Sequence, residues 1–216
     1  MRVVIAGGHG KIALLLEGLL AERGDSATAL VRNPDHFIDV RNVGAVPVHC
    51  DLESADVASV AEYLTGAEAA VFAAGAGPGS GTERKDTVDR GAAALFAEAA
   101  ELAGVRRHVQ IGSMGADRAD QAGDDVFGVY LRAKAAAERD LRERDLDWTI
   151  LRPGSLTDGL PTGRVHLAEH VARGAVSRAD VAAVLVALLD TPATVGRTLE
   201  LVEGGTPIAD AVAQLD

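Results

Sequence analysis

The first twenty residues, MRVVIAGGHGKIALLLEGLL, run a short β-branched segment into three glycines around His9 and then resume with apolar residues at helical spacing. A strand that breaks at glycine and passes directly into a helix is the first half of a βαβ unit, since parallel strands need a crossover between them. RVVIAG reads as the strand. Ile12, Leu15, Leu16, Leu19 and Leu20 form a one-sided helical stripe that stops at Gly24, a residue suited to a helix C-cap. Gly7, Gly10 and Ala13 have the spacing of a nucleotide-binding turn. Glycine lets the backbone turn sharply and approach a pyrophosphate, Ala13 leaves room for close helix and strand packing, and free N–H groups at a helix start attract anions. A tight turn without a ligand uses glycine in the same way, but a strand before it and an amphipathic helix after it favour the dinucleotide. His9 and Lys11 say less, because the backbone alone can make the contacts.

The alternation continues along the chain. ATALVR, AVPVHC, AAVFAAG, RHVQIGS, DWTILRPG and RTLELVEG read as further strands, and SADVASVAEYL, DRGAAALFAEAAELAG, VYLRAKAAAERDLRER and RADVAAVLVALLD as helices. The pattern predicts one α/β domain over residues 1–216, a Rossmann-type doubly wound parallel sheet with helices on both faces and a ligand crevice at the carboxyl ends of the strands. The glycine-rich GAGPGSGTERKD is expected as a loop at the mouth of that crevice.

Composition narrows the partners. With 32 acidic and 21 basic residues the formal charge is −11, and only 3% of residues are aromatic. Such a chain repels nucleic acid and anionic lipid and has few rings for stacking bases, so a small-molecule partner is expected, with neither nucleic acid nor membrane. The lone Cys50 excludes an internal disulfide and fits a reducing compartment. Neither a signal peptide nor a membrane span is expected, and the reading is cytoplasmic. Nothing in the pattern sets the oligomeric state.

Strand two bears on the cofactor. NAD sites place an acid about twenty residues beyond the glycines for the ribose hydroxyls, whereas here the strand ends in Arg32, Asn33 and Pro34. A guanidinium matches a 2′-phosphate in charge and shape, so NADP(H) is preferred, with NAD(H) still possible and Asp35 close enough to mute the preference. A surface arginine in a turn is the alternative. Asp51 and Leu52 follow strand three where an adenine would lie, and Ala73, Ala74 and Gly75 leave strand four with little bulk.

In VYLRAKAAAERDL, Tyr130 and Lys134 are four residues apart and share one helical face. An ammonium beside a phenol favours its ionised form, and the same lysine can hold a nicotinamide ribose. Tyr130 could then protonate a carbonyl oxygen as hydride arrives, with Ser113 at the end of strand five donating a second hydrogen bond. The competing reading is a half-buried tyrosine beside a solvated lysine. Lysine is scarce, however: 18 of the 21 basic residues are arginine, and the three lysines are Lys11, Lys85 and Lys134. HLAEH, from His166 to His170, matches the spelling of inverted zinc peptidases. That motif needs a continuous helix, and the nearby Gly163 and Gly174 argue against one, so no metal is expected. No G-x-S-x-G elbow occurs, which removes the serine hydrolases of that type.

With the glycine turn, VRNP, CDLES, QIGSMGA, YLRAK and LRPGSLTD in order, the chain resembles the atypical short-chain dehydrogenase/reductases. Within them it is similar to the small NAD(P)-binding proteins related to NmrA-like regulators and to flavin and biliverdin reductases, often labelled NAD-dependent epimerase/dehydratases. The resemblance extends into the tail SRADVAAVLVALLDTPATVGRTLELVEGGTPI. It implies a Rossmann-type sheet and bound NADP(H). Gly7, Gly8, His9, Gly10, Lys11 and Ile12 would line the phosphates and Arg32 the 2′-phosphate. Asp51 and Leu52 would sit by the adenine, Ala73, Ala74 and Gly75 by the ribose, and Lys134 with Pro153, Gly154, Ser155 and Leu156 around the nicotinamide. The expected activity is hydride transfer from NADPH to a small carbonyl, quinone or flavin-like acceptor. Alternatives are a redox-sensing NADP(H)-binding module without catalysis and an NAD-dependent sugar epimerase or dehydratase. The short stretch after Gly154 disfavours the epimerase, because extended epimerases carry a substrate domain there.

Overall fold

A computed structural model describes residues 1–77 and 79–215. Its first half alternates β1 (Arg2–Ala6), α1 (Lys11–Glu22), β2 (Ser26–Val31), α2 (Phe37–Asn42), β3 (Val46–His49), α3 (Val57–Leu64) and β4 (Ala69–Phe72). A short α4 (Thr82–Arg84) leads through a π-helical stretch (Lys85–Ala92) into α5 (Ala93–Ala103), followed by β5 (Arg107–Ile111), α6 (Val126–Arg142) and β6 (Asp147–Pro153). Then come β7 (Ser155–Thr157), β8 (Arg164–Ala168), β9 (Ala175–Ser177), α7 (Arg178–Leu189), β10 (Arg197–Glu203), β11 (Thr206–Pro207) and α8 (Ile208–Ala213).

The main sheet has the order β11-β8-β10-β6-β5-β4-β1-β2-β3. From β3 to β10 every pairing is parallel. The run 3-2-1-4-5-6 is the doubly wound order, whose chain direction across the sheet reverses between β1 and β4. Alternation within β1 shows why the middle is apolar on both faces: Val3 and Ile5 join the core under α1 and α7, while Val4 and Ala6 join the core under α3 and α5. All four residues of β4 are fully buried.

Several expectations need correction. The sheet is not wholly parallel, because β8 runs antiparallel to β10 and extends the sheet beyond the strand read as its last. HLAEH therefore lies in and after β8, a strand between β10 and the two-residue β11, with Val165 and Leu167 buried and His166 exposed, the alternation of a strand with one wet face. In α1, Leu15 is exposed while Glu17 is fully buried, so the stripe that meets the sheet includes a carboxyl. The segment GAGPGSGTERKD becomes helical from Thr82. Its Pro78 lies outside the described residues.

Three of the helices, α3, α6 and α7, have their starts closed by side chains. Asp56 accepts from the Ser59 N–H, Asp125 from the Gly128 N–H and Ser177 from the Asp180 N–H. At α1 the N-cap is Gly10, with no capping side chain, so no side chain accepts from its first-turn N–H groups.

Candidate functional site

The glycine turn is built by exclusion. Gly7 has φ +77°, and a Cβ there would stand 2.6 Å from the Ala74 Cα; on Gly8 it would stand 2.4 Å from the Ala29 Cβ. Side chains are thus barred by backbone conformation at one position and by the neighbouring strand at the next. The Gly10 N–H closes the turn on the Gly7 carbonyl at 2.8 Å, and Ala13 packs fully buried behind it. A cavity of about 320 Å³ opens in front, walled by Gly7, His9 and Gly10, by Ala73, Ala74 and Gly75, and by Asp51 and Leu52. Ile12 packs inward against the core. His9 stacks on His36 at 3.7 Å between centroids and sets Nε2 2.8 Å from Asp39. Lys11 pairs with Asp158 at 2.8 Å, and Asp158 also accepts from Arg178 at 2.7 Å, which ties the start of α1 to the loop after β7.

At the far wall of this cavity Arg32 is half exposed, with Nη1 3.1 Å from Glu53. Glu53 also accepts from Arg84 at 2.7 Å and from the Thr87 hydroxyl at 2.6 Å. These donors, the Arg84 hydrogen bond foremost, hold its carboxyl below the ordinary range. An acid thus stands beside Arg32 although the end of β2 carries none: it comes from the β3–α3 loop. Glu53 and Arg84 are the site residues that sequence reading missed. Arg84 ends α4, immediately before the π-helical stretch, and lines the same cavity.

A second cavity of about 670 Å³ lies at the ends of β5 and β6. Ser113, Pro153, Gly154 and Ser155 line it, together with Met114, Arg118, Phe127 and Arg173. Leu156 lines neither cavity and is partly exposed on β7. Tyr130 also lines neither; it packs on Ala116, Ala119, Leu131 and Ala135. Its ring lies 5.8 Å from the Lys134 Nζ and 5.3 Å from the Lys85 Nζ, so two ammonium groups face one phenol ring.

Lys134 itself is buried. Its Nζ donates to the Ile111 carbonyl at 3.2 Å and pairs with the fully buried Asp89 at 3.2 Å. Asp89 also accepts from the Ala76 N–H at 3.3 Å and stands 3.2 Å from where a Cβ on Gly75 would be. A second buried pair follows one turn along α6, where Arg152 of β6 grips Glu138 through Nε and Nη2 at 2.6–3.2 Å. Glu17 is different. Both its oxygens are buried without a partner, and a Cβ on Gly8 would be 3.1 Å from Oε1. Burial pushes this carboxyl up to about 8, so it is mostly protonated at neutral pH. Among the described residues no cluster of three or more His, Cys, Asp and Glu could hold a metal, and no helix is long and apolar enough to cross a membrane.

Doubly wound strand order, a side-chain-free turn at its reversal and an uncapped α1 define a Rossmann-type NAD(P)-binding protein. The chain belongs to the NAD(P)H-binding family, whose model matches residues 7–192. It is 34% identical over 216 residues to a Bacillus subtilis protein named as an uncharacterized sugar epimerase, YhfK, and covers 100% of both chains. It is also similar to a Bacillus halodurans structure with a provisional NAD-dependent epimerase/dehydratase label (34% identity, 99% of each chain, TM-score 0.92). A third relative is the oxidoreductase ylbE from Lactococcus lactis (26% identity, 100% of this chain and 96% of that one, TM-score 0.89).

Proposed function

We propose that this protein is an NADP(H)-dependent reductase that delivers hydride to a small carbonyl, quinone or flavin-like acceptor. The observation that carries the reading is that both cavities lie at the carboxyl ends of the parallel strands, one beside Arg32 and the glycine turn and the other beside Ser113 and Gly154, so that the row of strand ends from β2 to β6 offers a path for a dinucleotide. A dinucleotide laid along that path would be held at its pyrophosphate by the glycine turn and the start of α1, and its nicotinamide end would fall to Ser113 and Gly154. When bound, the cofactor supplies a hydride. Arg32 and Arg84 supply two guanidinium groups for a 2′-phosphate, which is the support for NADP(H). Glu53 works the other way, since its carboxylate can accept from a 2′-hydroxyl. The Lactococcus relative, named an oxidoreductase, supports hydride chemistry over a purely structural cofactor.

In this reading Ser113, which lines the larger cavity, donates to the acceptor oxygen, and Tyr130, which lines neither cavity, supplies the proton on turning toward it, with Lys134 as its cationic neighbour. Lys134 is held in place by Asp89 and the Ile111 carbonyl. Loss of NADPH absorbance with a panel of quinones, flavins and aldehydes tests the activity. Tyr130→Phe is expected to lower kcat by at least tenfold at unchanged NADPH affinity, within the range for general acids. Full activity of that variant assigns the proton to solvent. Tight cofactor binding with no turnover of any acceptor class overturns the reductase and leaves a cofactor-sensing module.

A further inference from the structure

We infer that the acceptor carries a carboxylate or phosphate group, held at the outer end of the larger cavity by Arg118 and Arg173. The inference rests on the reductase reading of that cavity and names the class of substrate it takes. Arg118 projects from the short helical turn after β5 and Arg173 from the segment before β9, so the two guanidinium groups come from different walls of one space. Neither is used up inside the protein. Arg118 meets only Asp117, at 3.9 Å with its side chain 52% exposed, and Arg173 is exposed, with no ion-pair partner among the described residues. The one acid lining the cavity, Asp125, already accepts from the Gly128 N–H at 2.8 Å. In a chain of net charge −11, a cavity whose long side chains are cationic stands out from its surroundings.

Beside the arginines and Ser113 the lining carries an apolar part, with Met114, Phe127, Leu131 and Pro153. About 670 Å³ suits a ligand of drug-like size. Apolar walls with Phe127 at the rim fit a conjugated ring, while an anion at its far end fits the guanidinium forks. The acceptor would be reduced by two electrons, taking a hydride from the dihydronicotinamide and a proton from a side chain or solvent, as the nicotinamide is oxidised.

Two probe pairs separate charge from shape: FMN against riboflavin for phosphate, and 4-carboxybenzaldehyde against its methyl ester for carboxylate. Binding is measured without turnover, in the presence of NADP+, by flavin fluorescence quenching and by calorimetry for the aldehydes. The anionic member of at least one pair is expected to bind about tenfold or more tightly, which also shows which anion the site prefers. Arg118→Ala and Arg173→Ala should each lower that selectivity ratio about tenfold, Arg→Lys should restore part of it, and added salt should erode it. Equal binding within both pairs, or equal losses for charged and neutral members in the variants, overturns the inference. Selective binding without NADPH oxidation by any probe sinks the reductase reading instead and leaves an anion-binding cavity.

Discussion

At the β1–β4 end of the crevice the walls are glycine and alanine, and a Cβ on Gly7 or Gly8 would come within 2.4–2.6 Å of its neighbours. At the β5–β6 end the walls are Arg118, Phe127 and Arg173 around a space of about 670 Å³. The first end recognises its ligand by removing atoms, so that backbone N–H groups come within reach of phosphate. The second presents long side chains on connecting segments, where size and charge are changed without disturbing a strand. One end is therefore intolerant of substitution and general in what it binds. On the proposed reading, the other tolerates change and sets selectivity.

The seam between the two ends is the buried pair of Asp89, below Gly75, and Lys134 on α6. Asp89→Ala should cost about 3–5 kcal/mol, because it leaves a buried ammonium with only the Ile111 carbonyl. Denaturant unfolding measures it. An unchanged midpoint with lost NADPH binding would break the comparison, by showing that Lys134 serves the cofactor and not the seam.

Glu17 tests how closed the glycine end is. Its carboxyl titrates near 4.5 in the unfolded chain and at about 8 when folded. Below the lower value both states are protonated; between the two only the folded chain keeps the proton, so stability falls as pH rises, by about 1.4 kcal/mol per unit, and levels off above the higher value. Glu17→Gln should gain about 2–4 kcal/mol at pH 8 and little at pH 4. The difference between variant and parent unfolding curves isolates this from His108, which burial holds neutral down to about 3. A difference that does not vary with pH shows water reaching behind the turn.

Arg32→Ala is expected to weaken NADPH binding by about 1.5–3 kcal/mol while NADH hardly changes. Glu53→Gln should move the same ratio toward NADPH by a smaller amount, since it removes the carboxylate between two guanidinium groups. Equal losses for both cofactors in Arg32→Ala make the arginine structural. The smallest effect belongs to Lys11→Ala: its exposed pair with Asp158 bridges the two ends and should leave the unfolding midpoint almost unmoved, with no difference left in high salt. A larger effect on NADPH than on stability places that ammonium at the pyrophosphate.

The glycine turn, the order of strands up to β6 and the family resemblance were all legible in the residues. Each rests on local pattern: glycine spacing after a strand, apolar runs buried on both faces, and helical stripes between them. Strand β8 was hidden because five residues alternating about one buried face make a weak signal, overlaid here by the HLAEH spelling. Glu17 was hidden because its helical position is apolar by period and only burial reveals the carboxyl.

By itself, then, the sequence determined that this chain winds a Rossmann-type sheet around a turn that only glycine can occupy, because those constraints act between near neighbours along the backbone. Tertiary structure alone decided which acid meets Arg32, what holds Lys134 and which arginines share a cavity. Glu53 lies 21 residues from Arg32 and Asp89 lies 45 from Lys134. Arg118 and Arg173 lie 55 apart. Charges so distant in sequence meet only when the strands between them have paired, and no spacing rule records that.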